Sequence, residues 1–130
     1  MSKNKKKPRK PAPKGVIKKP GKISSIKTLG QTWQVRYCEE FVGDEELQGL
    51  CINDRREILI KNDIALDAQL DTLLHEIWHG YQEINRMPIG ALPEDPEELM
   101  EYFAQYHSAM MIDLIRNNPT LIKAILESGE

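Results

Sequence analysis

The first regular alternation of polar and apolar residues along the chain is Thr32-Trp33-Gln34-Val35-Arg36-Tyr37. It puts Trp33, Val35 and Tyr37 on one side and predicts a half-buried β-strand in the stretch from Ile23 to Tyr37, where the folded part begins. Cys38 to Glu46 reads as a loop, anchored by Phe41 and Val42 and turned at Gly43-Asp44. Leu47 to Ile52 predicts a second strand, with Gly49 at a bulge. After a turn at Asn53-Asp54-Arg55, the run Ile58-Leu59-Ile60 makes Arg56 to Lys61 a third strand, paired with the second as a hairpin.

At Asp67 the period changes. Leu70, Leu73, Leu74, Ile77, Tyr81 and Ile84 recur at helical spacing and predict a helix over about residues 67–86, with Asp67 as N-cap and Met87-Pro88-Ile89-Gly90 as its break. A Pro- and acid-rich loop follows over residues 88–96. Asp95 then caps a second helix, with Pro96 at its first position, Glu97 and Glu98 in its first turn, and Leu99, Met100, Phe103, Tyr106, Ala109, Met110 and Leu114 as its apolar stripe. It ends near Arg116-Asn117-Asn118. Pro119 opens a short third helix, Thr120 to Glu127. The pattern as a whole predicts an α+β domain in which a small antiparallel β-sheet of about three strands packs on a long helix, a second helix and a short C-terminal one.

Charge divides the 130 residues in two. Residues 1–22 hold ten of the eighteen Lys and Arg and no acid, whereas residues 23–130 hold eight basic and all twenty acidic residues, a balance of −12. The first part reads as a disordered basic tail and the second as the single folded domain. Clustered lysines solubilise, and they also offer weak, non-specific contact to nucleic acid through counterion release. The −12 body confines any such contact to the tail. No apolar run is long enough to span a membrane, and Met1 is followed by lysines and prolines rather than an apolar signal region, so a cytoplasmic protein is expected. Cys38 and Cys51 lack CxxC spacing and are expected to be reduced and half-buried.

The long helix carries candidate chemistry. His75 and His79 are four apart, with Glu76 directly after the first. Four residues turn a helix by about 400° and advance it by about 6 Å, so both imidazoles reach one metal ion. Glu76, rotated by about 100°, is placed to reach a water beside that ion. This is the HExxH arrangement, in which two His bind Zn²⁺ and the Glu is the catalytic general base. Leu73, Leu74, Ile77, Trp78 and Tyr81 surround the motif and would keep it dry. Catalytic zinc usually takes a third protein ligand, and the downstream candidates are Glu94, Asp95, Glu97, Glu98, Glu101 and His107. His107 reads as a partly buried helix residue, with roles as transition-state donor or further ligand as the alternative. Tyr81, Tyr102 and Tyr106 could donate to an oxyanion or simply pack.

The pair HEIWH … EELMEYFA resembles the gluzincin metallopeptidases. In thermolysin-like members a ligand Glu is followed four residues later by an acid that hydrogen-bonds a zinc-bound His, then by a bulky apolar and a small residue. Glu97, Glu101, Phe103 and Ala104 fit that order. The ImmA/IrrE family of phage- and mobile-element-associated metallopeptidases is similar in layout. Small phage-encoded HExxH proteins are more similar still, with a Gly in the second strand and an ending like Asp113 to Leu121. The likeness covers residues 30–121 in layout, with specificity only in the HExxH and the Glu-bearing helix.

The resemblance implies Glu97 as third zinc ligand, Glu101 as the partner of a zinc-bound His, and Glu98 as the alternative ligand. It implies hydrolysis of a peptide bond in a regulatory or DNA-associated protein, in a bacterial host or phage-infected cell. The domain is small and has no extra strand or subdomain to build a deep cleft, so a substrate docked as an extended strand on the sheet edge is expected. Two rivals stand beside it. One is a catalytically silent zinc-binding module of the same fold, which would not need Glu76. The other is a SprT-like protease, whose third ligand would be a histidine, leaving His107 to serve.

Overall fold

The computed structural model describes residues 11–16, 23–28, 30–84 and 92–128. Its strands are β1 (Ala12–Lys14), β2 (Ser25–Thr28), β3 (Gln31–Cys38), β4 (Glu40–Val42), β5 (Gly49–Ile52) and β6 (Glu57–Lys61), and its helices are α1 (Leu66–Ile84), α2 (Pro96–Asn117) and α3 (Pro119–Ser128). The α+β architecture follows the hydrophobic pattern. Residues 1–10, 17–22 and 85–91, which include most of the basic tail and the helix break at Met87 to Gly90, lie outside the described residues.

The sheet is mixed rather than wholly antiparallel, and has four strands in the order β2-β3-β6-β5. β2 and β5 pair antiparallel with their neighbours, but β3 and β6 are parallel, with Val35 opposite Ile58 and Tyr37 opposite Ile60. The expected hairpin forms through a single 3-10 turn, Asn53–Arg55. Its second strand, not its first, inserts beside β3. The burial of Ile58, Leu59 and Ile60 explains why. Three consecutive apolar residues suit a strand covered on both faces, which is a central position, whereas β5 is half-buried and stays at the edge. The loop after Cys38 also differs from its reading, because Glu40–Val42 pairs with Ala12–Lys14 in a separate two-stranded ribbon. That ribbon draws three residues of the basic segment into regular structure.

Two apolar layers result. Ile26, Trp33, Val35, Tyr37, Ile58 and Ile60 face the helices and pack on Leu70, Leu73, Ile77, Tyr81, Met110, Leu114, Leu121 and Ala124. Cys38, Phe41 and Leu59, with Leu47, Leu50 and Ile52 against them, form a second cluster. The indole of Trp33 lies under Gly80, where a Cβ would come within 3.1 Å of the ring. A glycine in this helix costs stability relative to alanine, but here it lets α1 sit close on the sheet.

α1 begins at Leu66, so Asp67 lies in its first turn rather than at the cap. Asp95 caps α2 as expected, its side chain accepting from the N–H of Glu98 at 3.1 Å. The stripe expected on α2 is only partly inward. Met110 and Leu114 are buried and Leu99 and Tyr106 half-buried, but Met100, Phe103 and Ala109 are exposed. α2 meets the core along one edge, where it touches β2 and α3, so apolar residues elsewhere on its circumference face out. Asn118 fixes that edge, accepting from the Lys27 N–H at 2.7 Å and donating to the carbonyls of Lys27 and Leu114 at 2.7 and 3.0 Å.

Candidate metal centre

α1 presents His75 and His79 on its exposed flank and Glu76 toward the sheet, where it is 6% exposed. The two Nε2 atoms lie 3.1 Å apart with the rings nearly perpendicular, at 76°. Two nitrogens held at about 2.0–2.1 Å from one tetrahedral ion lie roughly 3.3 Å apart, so the imidazoles already converge at ligand spacing. The ligand atoms of His75, Glu76 and His79 all fall within 4.8 Å of one another, and this is the one such group among the described residues.

Glu76 Oε2 is buried and has no hydrogen-bond partner. A buried acceptor left without a donor is costly, and a water or a bound group in the adjoining cleft would satisfy it. Burial raises the Glu76 carboxyl above the usual carboxylate range, while His79 and His75 pull it back. A basic, desolvated carboxylate beside two converging imidazoles is a donor set that suits a zinc ion with a water next to it.

No family model, no curated protein and no solved structure matches this chain. The likeness to gluzincins and to the ImmA/IrrE family therefore rests on the motif residues alone, and the chemistry rests on the geometry of α1 and its surroundings.

Those surroundings form a cleft against the edge strand. Gly49, Leu50 and Cys51 of β5, with Leu47 and Asn53, face His75, Glu76, His79, Gln82 and Glu83 across a cavity of 480 Å³. A smaller recess of 230 Å³ continues past Thr72 and Asp71. Gly49 makes the approach feasible. A Cβ there would strike the Thr72 methyl and lie 3.2 Å from Glu76 Cγ. It is the absence of that side chain, rather than a bulge, that the strand requires.

Cys51, sequence-distant from the motif, lines the same cleft. Its thiol is pushed up to about 12 by burial first, then by Glu76 and Glu83. Both cysteines are free. Cys38 is buried on β3 and Cys51 half-buried on β5, with β6 between the two strands. The sequence hid the contributions of Leu47, Cys51, Asn53, Gln82 and Glu83. The only available signal was Gly49 inside an otherwise apolar strand.

The candidates on α2 fall elsewhere. Glu97, Glu98 and Glu101 are exposed and are not part of the His75–Glu76–His79 group, and neither is His107. His107 is the candidate held against α1, its ring stacked on Trp78 at 4.5 Å and 29°. Trp78 in turn stacks on Tyr81 at 5.7 Å. Tyr102 and Tyr106 pack on each other at 4.9 Å.

Proposed function

We propose that the chain is a zinc-dependent metallopeptidase in which His75 and His79 hold the metal and Glu76 is the general base. The buried, unpartnered Glu76 Oε2 beside the converging imidazoles carries this reading, because a purely structural site has no use for such a base. Bound zinc would supply a Lewis acid for a peptide carbonyl and lower the pKa of water. Glu76 is placed to accept a proton from the attacking water at Oε2 and to return it to the leaving amine. Gly49 and Thr72 pack against Glu76 and keep it seated.

β5 has no strand on its outer side among the described residues. Its free N–H and C=O groups suit a peptide added as an extended strand, with the scissile bond over the histidines. The substrate is then an unfolded segment or exposed loop of another protein. The resemblance assigns the third ligand to Glu97, with Glu98 as the alternative and Glu101 supporting a histidine. The SprT-like reading assigns it to His107, and the Trp78 stack is the observation that favours His107. Zinc content of the Glu97→Ala, Glu98→Ala, Glu101→Ala and His107→Ala chains distinguishes them, since loss of the true ligand should all but abolish zinc retention, whereas loss of a side chain that only supports a histidine should lower affinity by about 10–100-fold.

The activity itself is tested on an unstructured protein substrate. The wild-type chain with zinc should cleave it, a chelator should stop cleavage, and Glu76→Gln should keep zinc while losing at least about 10²-fold in rate. Zinc binding without cleavage by the wild type would leave the silent module. Equal cleavage by Glu76→Gln would remove the general-base mechanism.

A further inference from the structure

Apart from His75 and His79, the charged side chains lining the cleft beside α1 are all acidic. Asp71 borders the smaller recess, Glu83 the larger one, and Glu76 both. Arg55 and Arg56, which follow β5 in the chain, line neither. Asp71 and Glu83 are exposed and form no ion pair among the described residues. Between them Glu76 is 6% exposed, and its Oε2 lacks a hydrogen-bond partner. That buried, unsatisfied acceptor points to a ligand in the cleft, independently of the two rim acids.

The spacing of the acids is regular. Asp71 stands four residues before His75, and Glu83 four after His79. Each step of four drifts by about 40° around the helix, and both acids still border the cleft. Their positions also match the two ends of β5. Asp71 shares its recess with Gln48, just before the strand, and Glu83 shares the other with Asn53, just after it. The two acids lie about 18 Å apart along the helix axis, and Gln48 to Asn53 spans about 17 Å of extended chain. They are too far apart to hold one ion together. A peptide added along β5 passes the histidine pair midway and the acids at either end.

We propose that Asp71 and Glu83 are specificity-determining residues that select an extended peptide carrying a Lys or Arg on each side of the scissile bond, the two cations four or six residues apart. The cutting of that bond rests on the metallopeptidase reading, whereas the holding of the peptide does not. Alternate side chains of a strand share a face, so an even spacing turns both cations toward α1. Their long stems let the charged heads reach the rim carboxylates while the peptide backbone stays on β5. An acidic peptide would set like charges together at both ends and be rejected.

Two readouts on the full chain test this with one set of labelled, unstructured peptides, identical except that two positions four or six apart are lysine, glutamine or glutamate. The first is binding to the metal-free chain by fluorescence anisotropy, and the second is kcat/KM with zinc. Binding should weaken about threefold for each lysine replaced by glutamine and about tenfold or more when both become glutamate, and kcat/KM should fall in the same order. Asp71→Lys should invert the preference at one end of the peptide and Glu83→Lys at the other. Glu127→Gln, which removes an acid from α3, should leave it unchanged. Charge-blind binding overturns the inference, as does a preference that survives in the chain carrying both lysine substitutions. Charge-selective binding without cleavage supports the selection and counts against the peptidase reading, and cleavage without charge preference does the reverse. Should a lysine variant lose its helical circular dichroism, Asp71→Asn and Glu83→Gln decide, since each should abolish the preference at its own end.

Discussion

Gly49 has no Cβ, and the Thr72 methyl and the Glu76 stem occupy the space one would fill. Gly49→Ala should therefore destabilise the chain by about 1–3 kcal/mol through overpacking. Thermal unfolding would show it as a lowered Tm, and adding Thr72→Ser, which removes the methyl, should recover part of the loss. No recovery would mean that Thr72 is not the neighbour that matters.

Cys51 gives a second residue-scale prediction. Burial, Glu76 and Glu83 all disfavour its thiolate, so its pKa rises to about 12 and the reactive fraction at neutral pH falls. At pH 8 the metal-free native chain should alkylate at Cys51 roughly 10³-fold more slowly than a free cysteine. The rate should climb tenfold per pH unit until the pH approaches the pKa, and mass spectrometry of timed samples reads it. At this scale His75, Glu76 and His79 were legible from sequence because helical periodicity alone sets their faces. Gly49 and Cys51 were not, because their roles depend on which strand lies against α1, and local pattern carries no such information.

At the scale of elements, the helices were readable and the strand order was not. α1 and α2 announce themselves by period, by Asp95 and by Pro96. The pairing of β6 with β3 depends on a contact between segments separated by the β4 ribbon and the hairpin. The run Ile58-Leu59-Ile60 did signal a strand covered on both faces, which is the trace such a contact leaves in a sequence. α2 was overread as an inward stripe because an apolar position on a helix does not state which neighbour covers it. The junction of α2, α3 and β2 rests on Asn118, which is 6% exposed and makes three hydrogen bonds. Thr28 adds a bond from its Oγ1 to Asp113 Oδ2 at 2.9 Å. Asn118→Ala removes one partner from each Asn118 bond and leaves the Lys27 N–H unsatisfied. It should cost about 2–3 kcal/mol, read as a shift in urea midpoint, whereas the exposed Asn117→Ala should cost much less.

At the scale of the molecule, a four-stranded mixed sheet carries α1 so that one flank faces β5 and the other faces α2. The first flank holds the cleft and the buried Glu76. The second holds Trp78, on which His107 of α2 stacks. No helix among the described residues is long and apolar enough to cross a membrane. The excess of acid in residues 23–130 and of base in residues 1–22 gives the molecule a strong internal charge asymmetry, which 0.1 M salt screens beyond about 10 Å.

The convergence of His75 and His79 at 3.1 Å is the feature on which the functional reading depends, and metal analysis of the purified chain after zinc loading and desalting probes it most directly. One zinc per chain is expected for the wild type and for Glu76→Gln, and near-complete loss for His75→Ala and His79→Ala. Full zinc occupancy in His79→Ala, or none in the wild type, would contradict a metal centre on α1.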